Sequence, residues 1–92
     1  MSLRIVVYGK EGDGAAFAAM GQVRSIVREL KLEATVQIMT DPLSLAAAGV
    51  EETPAVSVDN TLICQGYVPS RTEMARALGM KVSQSGQKKY DG

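Results

Sequence analysis

Hydrophobic residues follow three different spacings in turn within the first forty positions of the chain. The nearly uninterrupted apolar run from Leu3 to Tyr8 is typical of a central strand that is buried on both faces. The next six residues, Gly9 to Gly14, include three glycines and therefore predict a loop. From Ala15 to Lys31 apolar residues recur every three or four positions, which predicts the longest helix. Its apolar face is expected to contain Phe17, Met20, Val23, Ile26, Val27 and Leu30.

A period of two from Glu33 to Thr40 predicts a strand after this helix. Ala34, Val36 and Ile38 are expected on one of its sides. Asp13 is well placed to cap the helix, because a carboxylate can accept hydrogen bonds from its first free N–H groups. The two strands should be parallel and joined by a right-handed crossover.

The second half of the chain predicts shorter elements. Pro42 to Ala48 should form a short helix, with Asp41 as its cap and Gly49 as its left-handed stop. Two strands, Ala55 to Val58 and Thr61 to Gln65, flank a residue pair suited to a tight turn, Asp59-Asn60. These strands should pair in antiparallel fashion.

Ser70 and Glu73 form a capping box that predicts a last helix from Arg71 to Leu78, ended by Gly79. Residues 80–92 are polar and lack a period, so we expect one domain over residues 1–79 and a flexible tail over 80–92. The predicted order is β-α-β-α-β-β-α. This order predicts an α/β fold with a mixed four-stranded sheet.

Composition narrows the possible functions. The formal charge is zero, so no overall field favours nucleic acid or a membrane surface. No stretch has the roughly 20 apolar residues that span a bilayer, and we expect a cytoplasmic protein. With one cysteine and no histidine, Ser-His-Asp, Cys-His and zinc-hydrolase mechanisms are excluded, and no metal or cofactor is expected.

Three segments carry a family resemblance: residues 5–9 (IVVYG), 53–60 (TPAVSVDN) and 66–70 (GYVPS). Together with the order of elements, they resemble the small thioredoxin/glutaredoxin-like proteins, also called redox-active disulfide proteins, over about residues 3–78. The resemblance implies a thioredoxin-like fold. In that family the loop after the first strand carries Cys-x-x-Cys, and the matching positions here are about Gly12 and Ala15. Neither has a thiol, so the usual dithiol exchange should be absent.

The resemblance also implies two binding regions. In the family, the proline that matches Pro54 is cis and faces the cysteine loop, and the residue before it, here Thr53, pairs with an extended substrate peptide. In glutaredoxin-like relatives, the turn that matches Gly66, Tyr67 and Ser70 holds a carboxylate of glutathione. Both regions have simpler explanations, since Pro54 can merely begin a strand and the capping box already accounts for Ser70.

The loop residues Gly12, Asp13, Gly14 and Ala15 are a further candidate site, because free N–H groups at a helix start suit an anion. However, the loop lacks the Gly-Lys-Ser/Thr ending of a phosphate loop, and its carboxylates, among them Glu11, would repel phosphate. A self-capped loop without a ligand is therefore favoured over a nucleotide site.

Cys64 alternates with Leu62, which predicts that both side chains lie on one face of the fourth strand. An isolated cysteine of this kind is commonly a small buried hydrophobe. It acts as a reactive thiol only if it is exposed with a lowered pKa.

The leading hypothesis is a non-catalytic thioredoxin-like module that holds a protein or an extended peptide at Gly12 to Ala15 and Thr53-Pro54. The alternative is a monothiol oxidoreductase that acts through Cys64, with glutathione as its partner. A third possibility is a structural or oligomerising protein, which an exposed apolar patch on the fourth strand would support.

Overall fold

The computed structural model describes residues 2–86, and it describes side-chain surroundings as far as residue 79. The elements follow the predicted order: β1 (Leu3–Tyr8), α1 (Gly14–Glu29), β2 (Ala34–Met39), α2 (Pro42–Ala47), β3 (Ala55–Val58), β4 (Thr61–Gln65) and α3 (Arg71–Gly86). No helix in this part of the chain is both long and apolar enough to cross a membrane.

The four strands form one mixed sheet in the order β2-β1-β3-β4. β1 pairs with β2 in parallel and with β3 in antiparallel fashion, and β3 and β4 form the predicted hairpin. Asp59 and Asn60 have φ values of 50° and 70°, which match the positive φ that both central residues of a type I′ turn require. The Asp59 carboxylate accepts a hydrogen bond of 2.9 Å from the Arg4 backbone N–H, which ties the turn to β1.

Hydrophobic side chains fill both faces of the sheet. The larger cluster joins Ile5 and Val7 of β1 and Val56 and Val58 of β3 to α1 and α3. The three β2 residues predicted on one side, Ala34, Val36 and Ile38, pack against this cluster, which confirms the strand's orientation. The smaller cluster, on Val6, Tyr8 and Ala55, packs against α2 and the segment that follows it. β1 is therefore buried on both faces, as the central strand was predicted to be.

The apolar face of α1 is rotated from the predicted one. The fully buried residues are Ala16, Ala19, Val23 and Ile26. Phe17 and Leu30, which were expected in the core, are 59% and 43% exposed. Two alanines let the helix lie close to the sheet, and the larger Phe17 beside them is left at the surface.

The end predicted for α3 is wrong. The helix does not stop at Leu78 but continues through Gly79 to Gly86. A glycine inside a helix costs only about 1 kcal/mol relative to alanine, so Gly79 alone does not end it. The predicted flexible tail is thus helical over residues 80–86, and residues 87–92 lie outside the described part of the chain.

The predicted alternation of Leu62 and Cys64 is also wrong. Val56 pairs with Cys64, and the next residue, Ser57, pairs with Leu62. The register therefore shifts between them, and Ile63 is an extra residue in β4. Such a bulge interrupts the period of two. Cys64 and Ile63 consequently pack with the larger cluster, while Leu62 packs with the smaller one on the opposite face.

Candidate functional site

An open groove of about 1030 Å³ lies where the carboxyl ends of β1 and β2 meet the segment before β3. Its volume is at the upper end of the range for ligand clefts. We call it the junction groove and define it by its lining residues: Gly9, Lys10, Glu11, Thr40, Asp41, Pro42, Leu45, Ala46, Val50, Glu51, Glu52, Thr53 and Gly66.

Parallel pairing brings the first two segments of the junction groove together. The β1–α1 loop and the β2–α2 connection leave the sheet at the same edge, and the Gly9 backbone N–H donates to the Met39 carbonyl over 3.1 Å. Gly9 also lies tightly against α1, since a methyl group placed on it would be 2.3 Å from the Ala16 Cβ. This close approach holds the loop at the groove wall.

The third segment, residues 51–53, is held by β4. The Gln65 side-chain carbonyl accepts hydrogen bonds from the backbone N–H groups of Glu51 (2.8 Å) and Glu52 (3.2 Å). The Gly66 N–H donates to the Pro54 carbonyl over 2.9 Å, and Gly66 has a φ of 90° that other residues rarely adopt. The peptide bond between Thr53 and Pro54 is cis. Gln65 and Gly66 together fix the position of Thr53 at the groove.

The predicted site residues divide between the groove and its surroundings. Thr53 and Gly66 line the junction groove, and Pro54, the residue after Thr53, is buried. The remaining six are not among its lining residues: Gly12, Asp13, Gly14, Ala15, Tyr67 and Ser70. The β1–α1 loop contributes its first residues, Gly9 to Glu11, to the groove instead.

Asp13 and Ser70 act as helix caps. The Asp13 carboxylate accepts a hydrogen bond of 2.9 Å from the Ala15 N–H, and the Ser70 hydroxyl accepts one of 3.1 Å from the Glu73 N–H. The reciprocal half of the predicted capping box does not form, and the Glu73 carboxylate accepts a hydrogen bond from the Tyr67 hydroxyl instead. This bond, together with the nearby charge of Glu73, raises the pKa of the exposed Tyr67 to about 12.

Cys64 lies outside the groove and is only 8% exposed. Burial is the main cause that raises the pKa of its thiol, and the negative charge of Glu73 adds to it. A backbone hydrogen bond with Val56 lowers the pKa in part. A protonated, buried thiol is a poor nucleophile and a poor metal ligand.

The sequence interpretation missed most of the polar lining of the groove. Asp41 was identified only as a helix cap, and Glu51 and Glu52 were not singled out. A signal was present, because the carboxyl ends of two parallel strands meet at one sheet edge, and ligands bind there in many α/β proteins. In the described residues, no group of three His, Cys, Asp or Glu side chains is arranged to hold a metal ion.

Comparison with solved structures supports the fold. A protein of unknown function from Staphylococcus aureus superimposes with a TM-score of 0.67, covering 89% of this chain and 93% of that chain, at 11% sequence identity. No curated protein matches the sequence. The family model described as a thioredoxin domain matches residues 15–79, which is well over half of the sequence. The chain therefore belongs to the thioredoxin domain family.

Proposed function

We propose that this chain is a non-catalytic thioredoxin-domain module that binds an extended peptide, or an extended segment of a partner protein, in the junction groove. One observation carries the proposal: the groove joins the β1–α1 loop to Thr53 and Gly66 in a chain that has a single cysteine. Disulfide exchange needs one thiolate to attack and a second thiol to resolve the mixed disulfide. The proposed binding surface therefore lacks the reactive pair of thiols.

The main chain of Thr53 supports binding of an extended peptide. Within residues 2–86, neither its N–H nor its carbonyl has a hydrogen-bond partner, although Glu52 before it and Pro54 after it are both held by hydrogen bonds. Extended peptides bind to such free main-chain groups, which supply affinity without requiring a particular sequence. Thr53 lies at the groove wall and is partly exposed.

The floor of the junction groove offers apolar contacts. Leu45 and Val50 pack partly against the smaller core cluster and also line the groove, next to Pro42 and Ala46 of α2. These four apolar side chains lie among the polar and charged groups of the lining, and binding clefts combine apolar surface with placed polar groups. Peptide side chains can bury apolar area there while the peptide main chain pairs with Thr53.

The monothiol alternative lacks such support. Cys64 is buried, its pKa is raised, and it does not line the groove. A monothiol mechanism needs an accessible thiolate. We therefore propose binding without thiol chemistry, in the cytoplasm.

The proposal is tested by selecting from a phage-displayed library of random decapeptides on three proteins: the wild type, Ala46→Trp and Ala47→Trp. Both alanines are exposed on α2, but only Ala46 lines the groove. An indole at position 46 should obstruct the α2 side of the groove, whereas the same change at position 47 leaves it open. Circular dichroism verifies that both variants are folded.

We expect peptides to be enriched on the wild type and on Ala47→Trp, and to be lost on Ala46→Trp. Backbone amide signals of Lys10, Glu11 and Thr53 should shift when a selected peptide is titrated. Equal enrichment on Ala46→Trp, or no enrichment above blank resin, would contradict the proposal.

A further inference from the structure

We infer that the junction groove selects peptides that carry lysine or arginine side chains. This inference rests on the proposed function and names its ligand class. The groove is lined by four carboxylates and one ammonium group: Glu11, Asp41, Glu51, Glu52 and Lys10. The whole chain has a formal charge of zero, so this excess of negative charge is local.

The groove carboxylates are largely free to bind a ligand. In residues 2–86, the side chains of Glu11, Glu51 and Glu52 make no hydrogen bond or ion pair, and all three residues are exposed. The Asp41 carboxylate accepts a hydrogen bond of 3.0 Å from the Ser44 hydroxyl, which leaves its charge unneutralised. Lys10 is the one cation among the lining residues of the groove.

The carboxylates come from separate segments, and this spacing favours a peptide over a small cation. Glu11 belongs to the β1–α1 loop, Asp41 precedes α2, and Glu51 and Glu52 precede β3. Among the described residues, no three acidic groups are arranged to hold a metal ion. Several cationic side chains along an extended peptide can instead meet carboxylates on different walls of the groove.

A second, smaller cleft has the opposite charge. Arg24, Arg28 and Lys31 line it beside apolar residues of α1 and β2, and no acidic residue belongs to its lining. None of these three cations makes an ion pair within the described chain. Because unlike charges steer association and like charges disfavour wrong contacts, a basic peptide should be attracted to the junction groove and repelled from this cleft.

The inference is tested by calorimetric titration of three blocked octapeptides that alternate threonine with lysine, glutamine or glutamate. With up to four exposed charge pairs available, we expect the lysine peptide to bind about tenfold more tightly than the glutamine peptide at low salt. The glutamate peptide should bind most weakly. Salt at 0.5 M should remove most of the difference, because it screens exposed charges.

Two charge variants should change affinity for the lysine peptide in opposite directions. Glu51→Gln should weaken binding by about two- to fivefold, and Lys10→Gln should strengthen it by about twofold. Glu29→Gln is the matched control, since Glu29 is exposed on α1 outside the groove, where it pairs with Arg71. It should leave the affinity unchanged.

The outcomes separate the two proposals. Equal binding of the lysine and glutamine peptides would overturn the charge preference and leave the peptide-binding function standing. Equal affinities of Glu51→Gln and Glu29→Gln for the lysine peptide would have the same meaning. If no octapeptide binds and the decapeptide library also yields nothing, both proposals are wrong.

Discussion

Thiol chemistry needs a cysteine and surroundings that lower the pKa of its thiol. The β1–α1 junction and the region around Cys64 each have one of these. The junction is an exposed loop at the start of α1, where a helix dipole lowers the pKa of a thiol, but it has no cysteine. β4 has the cysteine, but burial and the charge of Glu73 raise its pKa. The thiol and the activating environment are therefore in different places.

This separation shows why membership of a family with redox chemistry does not establish that chemistry for this chain. The fold positions a groove and a helix start, whereas reaction depends on which side chains stand there. The two regions can be tested separately. The first two predictions concern the junction, and the last two concern Cys64 and its neighbours.

The largest expected effect comes from moving the thiol to the junction. In a Cys64→Ala background, Ala15→Cys should react with a disulfide reagent at pH 7 at least about tenfold faster than Cys64 does in the wild type. Ala18→Cys is the matched control, because it is exposed on α1 but lies farther from the helix start. We expect its rate to lie between the other two. A wild-type rate equal to that of the Ala15→Cys protein would show that Cys64 is not shielded.

The junction should also be sensitive to one added methyl group. Gly9→Ala places its Cβ 2.3 Å from the Ala16 Cβ, and such overpacking typically costs about 1–3 kcal/mol of unfolding free energy. Gly14→Ala is the control, since a Cβ there meets nothing within 4 Å. It should leave stability unchanged or raise it by up to about 1 kcal/mol. Urea denaturation measures both, and equal costs would mean that α1 does not lie tightly against the loop.

Cys64 should make stability depend on pH in the alkaline range. The native thiol keeps its proton above the ordinary pKa of 9.0, while the unfolded chain loses it there, so this contribution is complete below pH 9 and falls as pH rises further. Cys64→Ala should remove the fall in stability that comes from this thiol above pH 9. The same change should lower the unfolding free energy at pH 7 by about 1 kcal/mol. Urea titrations at pH 8 and pH 10 compare the two proteins. A wild type that gains stability from pH 8 to pH 10 relative to Cys64→Ala would reverse the sign of the shift.

The last and most local effect concerns Tyr67 and Glu73, beside Cys64. Glu73→Gln removes the charge that holds the Tyr67 proton, so the pKa of Tyr67 should fall from about 12 toward 10. Ultraviolet absorbance of tyrosinate follows the titration, and Tyr67→Phe identifies the signal against the other tyrosines. An unchanged midpoint in Glu73→Gln would mean that Glu73 does not perturb Tyr67.

The sequence predicted the order and pairing of the elements because its strongest signals are local. Asp59-Asn60 identified the hairpin turn and Asp13 identified the start of α1, and both are confirmed. Local signals gave a poorer account of packing. Periodicity showed that α1 has an apolar face, but it could not show that Ala16 would lie against the sheet and Phe17 at the surface.

The groove was predicted only in part for a related reason. Its lining comes from four segments spread between residues 9 and 66, so only tertiary structure shows that Glu11, Asp41 and Glu51 share one surface. The bulge at Ile63 is similarly invisible to an alternation pattern, which assumes an unbroken register. Burial of Cys64 was predicted from the habits of isolated cysteines, and it is confirmed.

The most direct test of the central claim is the reduction of insulin disulfides by the purified protein in the presence of dithiothreitol. A chain with one shielded thiol should give no acceleration above dithiothreitol alone, and Cys64→Ser should behave like the wild type. Acceleration at a rate typical of a dithiol thioredoxin, abolished by Cys64→Ser, would contradict the account.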